Sequence, residues 1–262
     1  MTVWKHEMKM NKKALCIWIL CVGAMCFGCI LMYTSLEDSL QDMADMYSNM
    51  GSLSVAMGMD KMSLATLVGF YATEILMLHG LGGAMFAAIT GTGMLSKEEA
   101  GHTSEFLHVF PVGRSSILLQ KYFALVCNII IFNLVCMLAY IVGFLLMEEE
   151  VPEKEMLLSA VTQLLMQIEI GTLCFCISAF ARKNFLGAGL GIVIFFFATD
   201  MMCRIIPAIE NIKYITPFYY ANGADIFTSK SIEGVMISIG IGLTLIAFLT
   251  GCWKYHRKDL AA

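Results

Sequence analysis

ILLQKYFALVCNIIIFNLVCMLAYIVGFLLM, residues 117–147, decides the fold, because no charged side chain stands between Lys121 and Glu148. A helix needs about 20 predominantly apolar residues to cross roughly 30 Å of hydrocarbon, and this stretch exceeds that. Working outward, comparable apolar runs occupy residues 15–34, 64–95, 157–181, 185–206 and 233–253. The runs at 64–95 and 117–147 are too long to be spans alone, so each extends into water, tilts or bends. In lipid every backbone N–H and C=O must be paired inside the structure, which leaves helices or a closed barrel. Barrel strands would alternate apolar and polar residues over about ten positions, and that alternation is absent. The sequence predicts an all-α polytopic membrane protein with six transmembrane helices, forming a single transmembrane domain over residues 1–262.

Composition points the same way. Hydrophobic residues make up 58% of the 262 and charged residues 15%, against about 45–50% and about 25% in soluble domains. The net charge of −4 removes the basic face that nucleic acid requires, so no nucleic-acid partner is expected. The ten cysteines fall in or beside apolar runs and read as small buried hydrophobes. The 21 methionines read as flexible apolar filling, which accounts for Met43, Met46, Met50, Met57, Met59 and Met62 better than a soft-metal route does, so no metal site is expected.

Orientation follows from the basic residues. With the N-terminus in the cytoplasm, the inner segments receive Lys5, Lys9, Lys12, Lys13, Lys97, Arg114, Lys121, Arg182, Lys183, Lys254, Arg257 and Lys258, which is 12 of the 17. The outer segments receive Glu37, Asp38, Asp42, Asp45, Asp60 and the acids from Glu148 to Glu155. Both termini are then cytoplasmic. The first apolar run has full span length and is expected to be retained rather than cleaved. Val3, Trp4 and Met8 set against Lys5, Lys9 and Lys12 predict an N-terminal helix on the inner surface. Leu36, Leu40, Met43, Tyr47 and Met50 predict an amphipathic helix in the first outer loop. Residues 207–232, with Pro207, Pro217 and three consecutive aromatic residues, predict an irregular outer segment at the lipid interface.

The segment between the second and third spans carries the most information. Ser96, Lys97, Glu98 and Glu99 have capping-box spacing. A helix from there would put Ala100, Thr103, Leu107 and Phe110 on one face, with Glu98, Glu99, His102 and Glu105 largely on the other, until Pro111 ends it. The run EAGHTSEFLHVFPVGRSSILLQK, residues 99–121, resembles the cytoplasmic signature of type-two ABC transporter permeases: an acidic helix containing glycine and threonine, then Pro111-Val112-x-Arg114 and a lysine opening the third span. The ending from Tyr255 to Leu260 is similar to that family's aromatic-basic-Asp-aliphatic tail. One departure is the four-residue interval from Gly101 to Glu105 where three is the usual spacing.

The resemblance implies a permease subunit of a bacterial exporter in the cell membrane, paired with a second permease protomer and two cytoplasmic ATPase subunits. It makes the segment at about 96–110 a short coupling helix, with Glu98, Glu99, Gly101, Glu105, Pro111 and Arg114 carrying the coupling. No glycine here is followed by lysine, so this chain has no P-loop. ATP and Mg would be bound by the partner ATPase, and no cofactor or catalytic residue is expected in this chain.

Ionisable groups inside spans cost about 2.5–3.5 kcal/mol on insertion scales and need a reason. Glu74 and Glu169 lie at similar depth, roughly 15 and 18 Å below the outer starts of their helices at about 1.5 Å per residue. With His79, Gln163 and Gln167, and with Asn128 and Asn133, they form a candidate substrate path; the other reading makes them hydrogen-bonded contacts between helices or protomers. Asp200, nearer the outer end, reads as an interfacial residue. Two other functional classes stay open: an ATP-independent carrier or scaffold, and an intramembrane enzyme using Glu74 and Glu169 as an acid/base pair.

Overall fold

Backbone groups that cannot reach water pair within their own helix, and six helices of this chain are long and apolar enough to cross a membrane. The computed structural model describes residues 2–48, 51–101, 113–181, 183 and 185–258. In chain order its helices are α1 (Thr2–Leu31), α2 (Tyr33–Ser48), α3 (Ser52–Met57), α4 (Leu67–Gly93), α5 (Ser96–Ala100), α6 (Arg114–Leu146), α7 (Glu153–Phe180), α8 (Leu186–Ile205), a 3-10 stretch Pro207–Tyr214, α9 (Pro217–Tyr220), α10 (Gly223–Ser229) and α11 (Gly234–Arg257). No strand occurs among the described residues.

The six long helices are α1, α4, α6, α7, α8 and α11. Glu7 near the start of α1 bonds Lys97 of α5 and Lys121 of α6, and Lys258 after α11 bonds Glu99 and Arg114, so the start of α1, α5, the start of α6 and the end of α11 meet at one face of the bundle. We call it the terminal face. The described residues between α1 and α4, between α6 and α7 and between α8 and α11 follow or precede the other ends of these helices and form the opposite face.

The two central helices are α4 and α7, 67% and 56% buried over their most apolar stretches, against 28% for α1 and 22% for both α8 and α11. Lipid tails are as apolar as leucine, so small residues and hydrogen bonds rather than burial from water bring such helices together. Buried Gly83, Ala87 and Gly91 recur at four-residue intervals on α4. A Cβ at Gly91 would stand 2.5 Å from the Gly171 carbonyl oxygen of α7, so only glycine permits this approach. Gly91→Ala should therefore lower stability by about 1–3 kcal/mol, read as an earlier thermal transition in detergent. Gly187→Ala on α8, where nothing lies within 4 Å of the added carbon, is the matched control and should unfold like the parent. Leu134, Leu138 and Leu145 of α6 and Ile241, Leu245 and Leu249 of α11 are exposed and form the lipid-facing belt.

Three expectations need correction or sharpening. Ser96 does not cap α5: its hydroxyl bonds back to the Thr92 carbonyl at 2.8 Å, while the Leu95 and Ser96 amides donate to Ser178 Oγ of α7 at 2.9 and 3.0 Å. A capping box was expected from spacing alone, but the cap comes from a helix distant in sequence. The N-terminal helix runs into the first span without a break, α1 carrying a π-helical stretch at Ile19–Ala24. The segment after α8 is largely helical rather than irregular, because both prolines sit at the first helical positions of the 3-10 stretch and of α9, where a missing N–H is not needed. In α2, Leu40 of the amphipathic stripe is buried; the side chains of Met43 and Tyr47, and Met50 altogether, lie outside the described residues.

Candidate functional site

At the terminal face the charges expected to dock a partner are turned onto the chain itself. Lys121 of α6 is 1% exposed, and its ammonium donates to Glu7 Oε1 of α1 at 2.9 Å, to the Met94 carbonyl at 2.8 Å and to Glu98 of α5. Lys97 also bonds Glu7. Glu99, with a 5% exposed carboxyl, pairs with Lys258 at 2.7 Å. That ammonium also donates to the Ala181 carbonyl after α7. Arg114, opening α6, donates to the Lys258 carbonyl at 3.2 Å. One ionic cluster thus ties the first two turns of α1, the start of the 96–113 segment, α6 and the residue following α11. Gly101 ends α5 as its C-cap residue; Glu105 and Pro111 lie outside the described residues.

A second group lies inside the bundle. His79 of α4 stacks on Phe132 with ring centroids 5.4 Å apart. Its Nε2 is 3.1 Å from Asn133 Oδ1 of α6. An amide oxygen only accepts, so Nε2 donates; Nδ1 shares the Tyr140 hydroxyl at 3.0 Å. Asn133 Nδ2 donates to Gln167 Oε1 of α7 at 2.7 Å. Tyr140, His79, Asn133 and Gln167 therefore form one continuous polar row across three helices. Gln163, one turn away on α7, donates to the Leu76 and Ala221 carbonyls at 3.3 and 2.9 Å. Both glutamine amides lie against glycines: a Cβ at Gly80 would be 2.7 Å from Gln163 Oε1, and one at Gly83 would be 2.2 Å from Gln167 Nε2.

The structure does not bring the remaining path candidates into that row. Glu169 faces away, accepting from the Tyr220 hydroxyl of α9 at 3.0 Å beside Gly240 of α11. Glu74 is half-buried in a π-helical stretch, Tyr71–Ile75, and makes no hydrogen bond among the described residues. Asn128 donates to the Ala124 carbonyl at 2.7 Å and to Met8 Sδ at 3.4 Å. The two carboxyls proposed as an acid/base pair are not hydrogen-bonded to each other. Among the described residues no group of three or more His, Cys, Asp or Glu is placed to hold a metal ion.

At the opposite face a third cluster pins the short helices. Arg204 of α8 bonds Asp200 Oδ1 at 3.1 Å and Asp225 Oδ2 of α10 at 2.7 Å. Asp225 Oδ1 accepts from Lys61 at 2.6 Å. Glu7, Tyr140 and Asp225 were not singled out from sequence, and Lys258 and Tyr220 entered as an inner-side basic residue and as one of three interfacial aromatic residues. Their partners are distant along the chain, and only the Asp200–Arg204 pair has a readable interval, four residues on one helix face.

Six apolar helices around a polar interior, with an ionic cluster closing one end, define a polytopic membrane protein of the transporter class. The sequence model of the ABC-2 family transporter proteins matches residues 1–260, and the chain belongs to that family. It is a membrane transport component. Searches of curated proteins and of solved structures returned no significant match.

Proposed function

We propose that this chain is the membrane-spanning permease subunit of an ABC exporter, coupled through residues 96–114 to a separate cytoplasmic ATPase. The observation that supports this reading is the terminal-face cluster. A short helix that transmits force must be anchored at its root, and Glu98, Glu99 and Arg114 each bond an element other than their own. These three residues act as anchors, leaving the stretch containing Glu105 and Pro111 to meet the ATPase. The terminal face is then cytoplasmic, in agreement with the lysine and arginine bias. ATP and Mg reside on the partner, since this chain has no P-loop. A second protomer, identical or related, completes the membrane unit in a bacterial cell membrane. Closure of the ATPase pair shifts the 96–114 segment, and the helices rock as rigid bodies between two states.

The test is a mild-detergent pull-down of the chain from its native membrane, with and without a nonhydrolysable ATP analogue. A stoichiometric P-loop ATPase in the eluate supports the reading; its reproducible absence, with the chain intact, turns it toward an ATP-independent carrier. In the reconstituted complex, Arg114→Ala should leave insertion and ATPase recruitment intact while transport per ATP hydrolysed falls on the order of tenfold, within the usual range of coupling energies. Unchanged transport would remove Arg114 from the coupling path.

A further inference from the structure

Glu169 is a membrane-embedded carboxyl that is 2% exposed and has no basic partner among the described residues. One of its oxygens accepts from Tyr220. A carboxylate in that setting calls for a counter-charge, and the neighbouring geometry indicates where one would come from. A cavity of about 370 Å³ opens between α9, α10 and the start of α11, which is within the roughly 300–1,000 Å³ of small-molecule sites. Tyr219, Tyr220, Ile226 and Met236 supply its apolar wall. Tyr220 is thus shared: it lines the cavity and its hydroxyl reaches Glu169. Met236 also lines the cavity, and Gly240 comes four residues later on α11. Glu169 Oε2 lies 2.7 Å from where a Gly240 Cβ would stand, so the carboxyl sits one helical turn, about 5.4 Å, deeper along α11.

The charges around the cavity set the sign of its ligand. Lys61, the basic residue lining it, is consumed by Asp225, and Asp225 is compensated a second time by Arg204. Glu233, at the rim and exposed, has no ionic partner among the described residues. One uncompensated carboxylate at the mouth, one carboxyl behind the wall and an aromatic lining suit a cation carried on an apolar body. An anion would find no free basic group there.

We propose that this cavity is a binding site for a hydrophobic organic cation, with Glu169 as its buried counter-charge and Glu233 as its rim charge. The proposal rests on the permease reading only in naming such cations as the transported class; the site itself stands without the ATPase.

The full-length chain in lipid nanodiscs is titrated with tetraphenylphosphonium, with tetraphenylborate as the probe of matched shape and opposite charge and empty discs as the blank. Saturable binding of the cation near one per chain is expected, with no saturable binding of the borate. Glu169→Gln, which preserves shape and the acceptor for Tyr220, should weaken binding about tenfold or more, as expected for removal of a buried charge partner. Ser229→Trp, which fills the cavity from an exposed position, should abolish binding without touching the carboxyl. Equal affinity for the two probes, binding unchanged by Glu169→Gln, or no binding above the blank would each overturn the proposal. A chain that recruits an ATPase yet binds no cation overturns this site alone. A chain that binds the cation but recruits no ATPase keeps the site and overturns the permease reading.

Discussion

Lys121→Met is expected to destabilise the folded chain by about 3–5 kcal/mol, the usual penalty for stranding one side of a buried ion pair. All three protons of the Lys121 ammonium are engaged, by Glu7, Glu98 and the Met94 carbonyl, at a side chain 1% exposed. Methionine fills similar volume, so the loss is electrostatic rather than a cavity. It leaves the Glu7 carboxylate, also 1% exposed, with Lys97 alone. The measurement is thermal or denaturant unfolding of the purified chain in a fixed detergent. Glu7→Gln combined with Lys121→Met should be less damaged than Lys121→Met alone, because the buried Glu7 charge, left with half its compensation, is gone. A loss below about 1 kcal/mol would place the pair in the exposed class, where ion pairs contribute little. The same variant should free the first turns of α1, so protease cleavage near Lys9 to Lys13 should accelerate even where the spans stay folded.

The six spans were legible because lipid imposes a composition on any helix that crosses it, and a run such as residues 122–147 has no other solvent to suit it. The partners of the polar groups were not legible for an equally physical reason. Glu98 and Glu99 read locally as the polar face of a surface helix; only tertiary packing brings Lys121 and Lys258 to them. Ser96 matches a capping residue by spacing, yet it stands inside α5 with its hydroxyl donating to the Thr92 carbonyl, and Ser178 Oγ accepts from the amides at the helix start. Gln163 and Gln167 are four apart and so share a face of α7. Glu169, two residues beyond Gln167, falls on another side of α7, and periodicity alone separates it from the row around His79. The glycines of α4 serve two purposes. Gly91 lets α4 approach the α7 backbone, while Gly80 and Gly83 accommodate the two glutamine amides. The π-helical stretches in α1 and α4 carry no sequence pattern that would have announced them.

Arg204→Met should produce the second large effect, again about 3–5 kcal/mol, and at the other end of the molecule. The guanidinium is 4% exposed; it bridges Asp200 and Asp225, donates to the Tyr219 carbonyl at 3.3 Å and lies 4.4 Å over the Tyr219 ring. Its removal strands the Asp200 carboxyl, 8% exposed, and releases α9 and α10 from α8. Protease cleavage within residues 207–232 should therefore rise well before the spans unfold, and Asp200→Asn in the same chain should restore part of the stability. The acid dependence distinguishes this from simple loss of packing. Burial raises the Asp225 carboxyl, but Arg204 and Lys61 outweigh it and hold it below the ordinary aspartate range. A carboxyl depressed in the folded state contributes stability that is complete above its unfolded value and is lost as pH falls through its folded value. The parent should therefore keep this contribution into distinctly acid solution. In the variant only Lys61, a half-exposed partner, still favours the ionised Asp225, so the acid-induced loss should begin at higher pH. Unfolding midpoints for the two chains that run parallel from neutral to acid pH would show that Arg204 acts by packing alone, and the ionic account of this face would have to be given up.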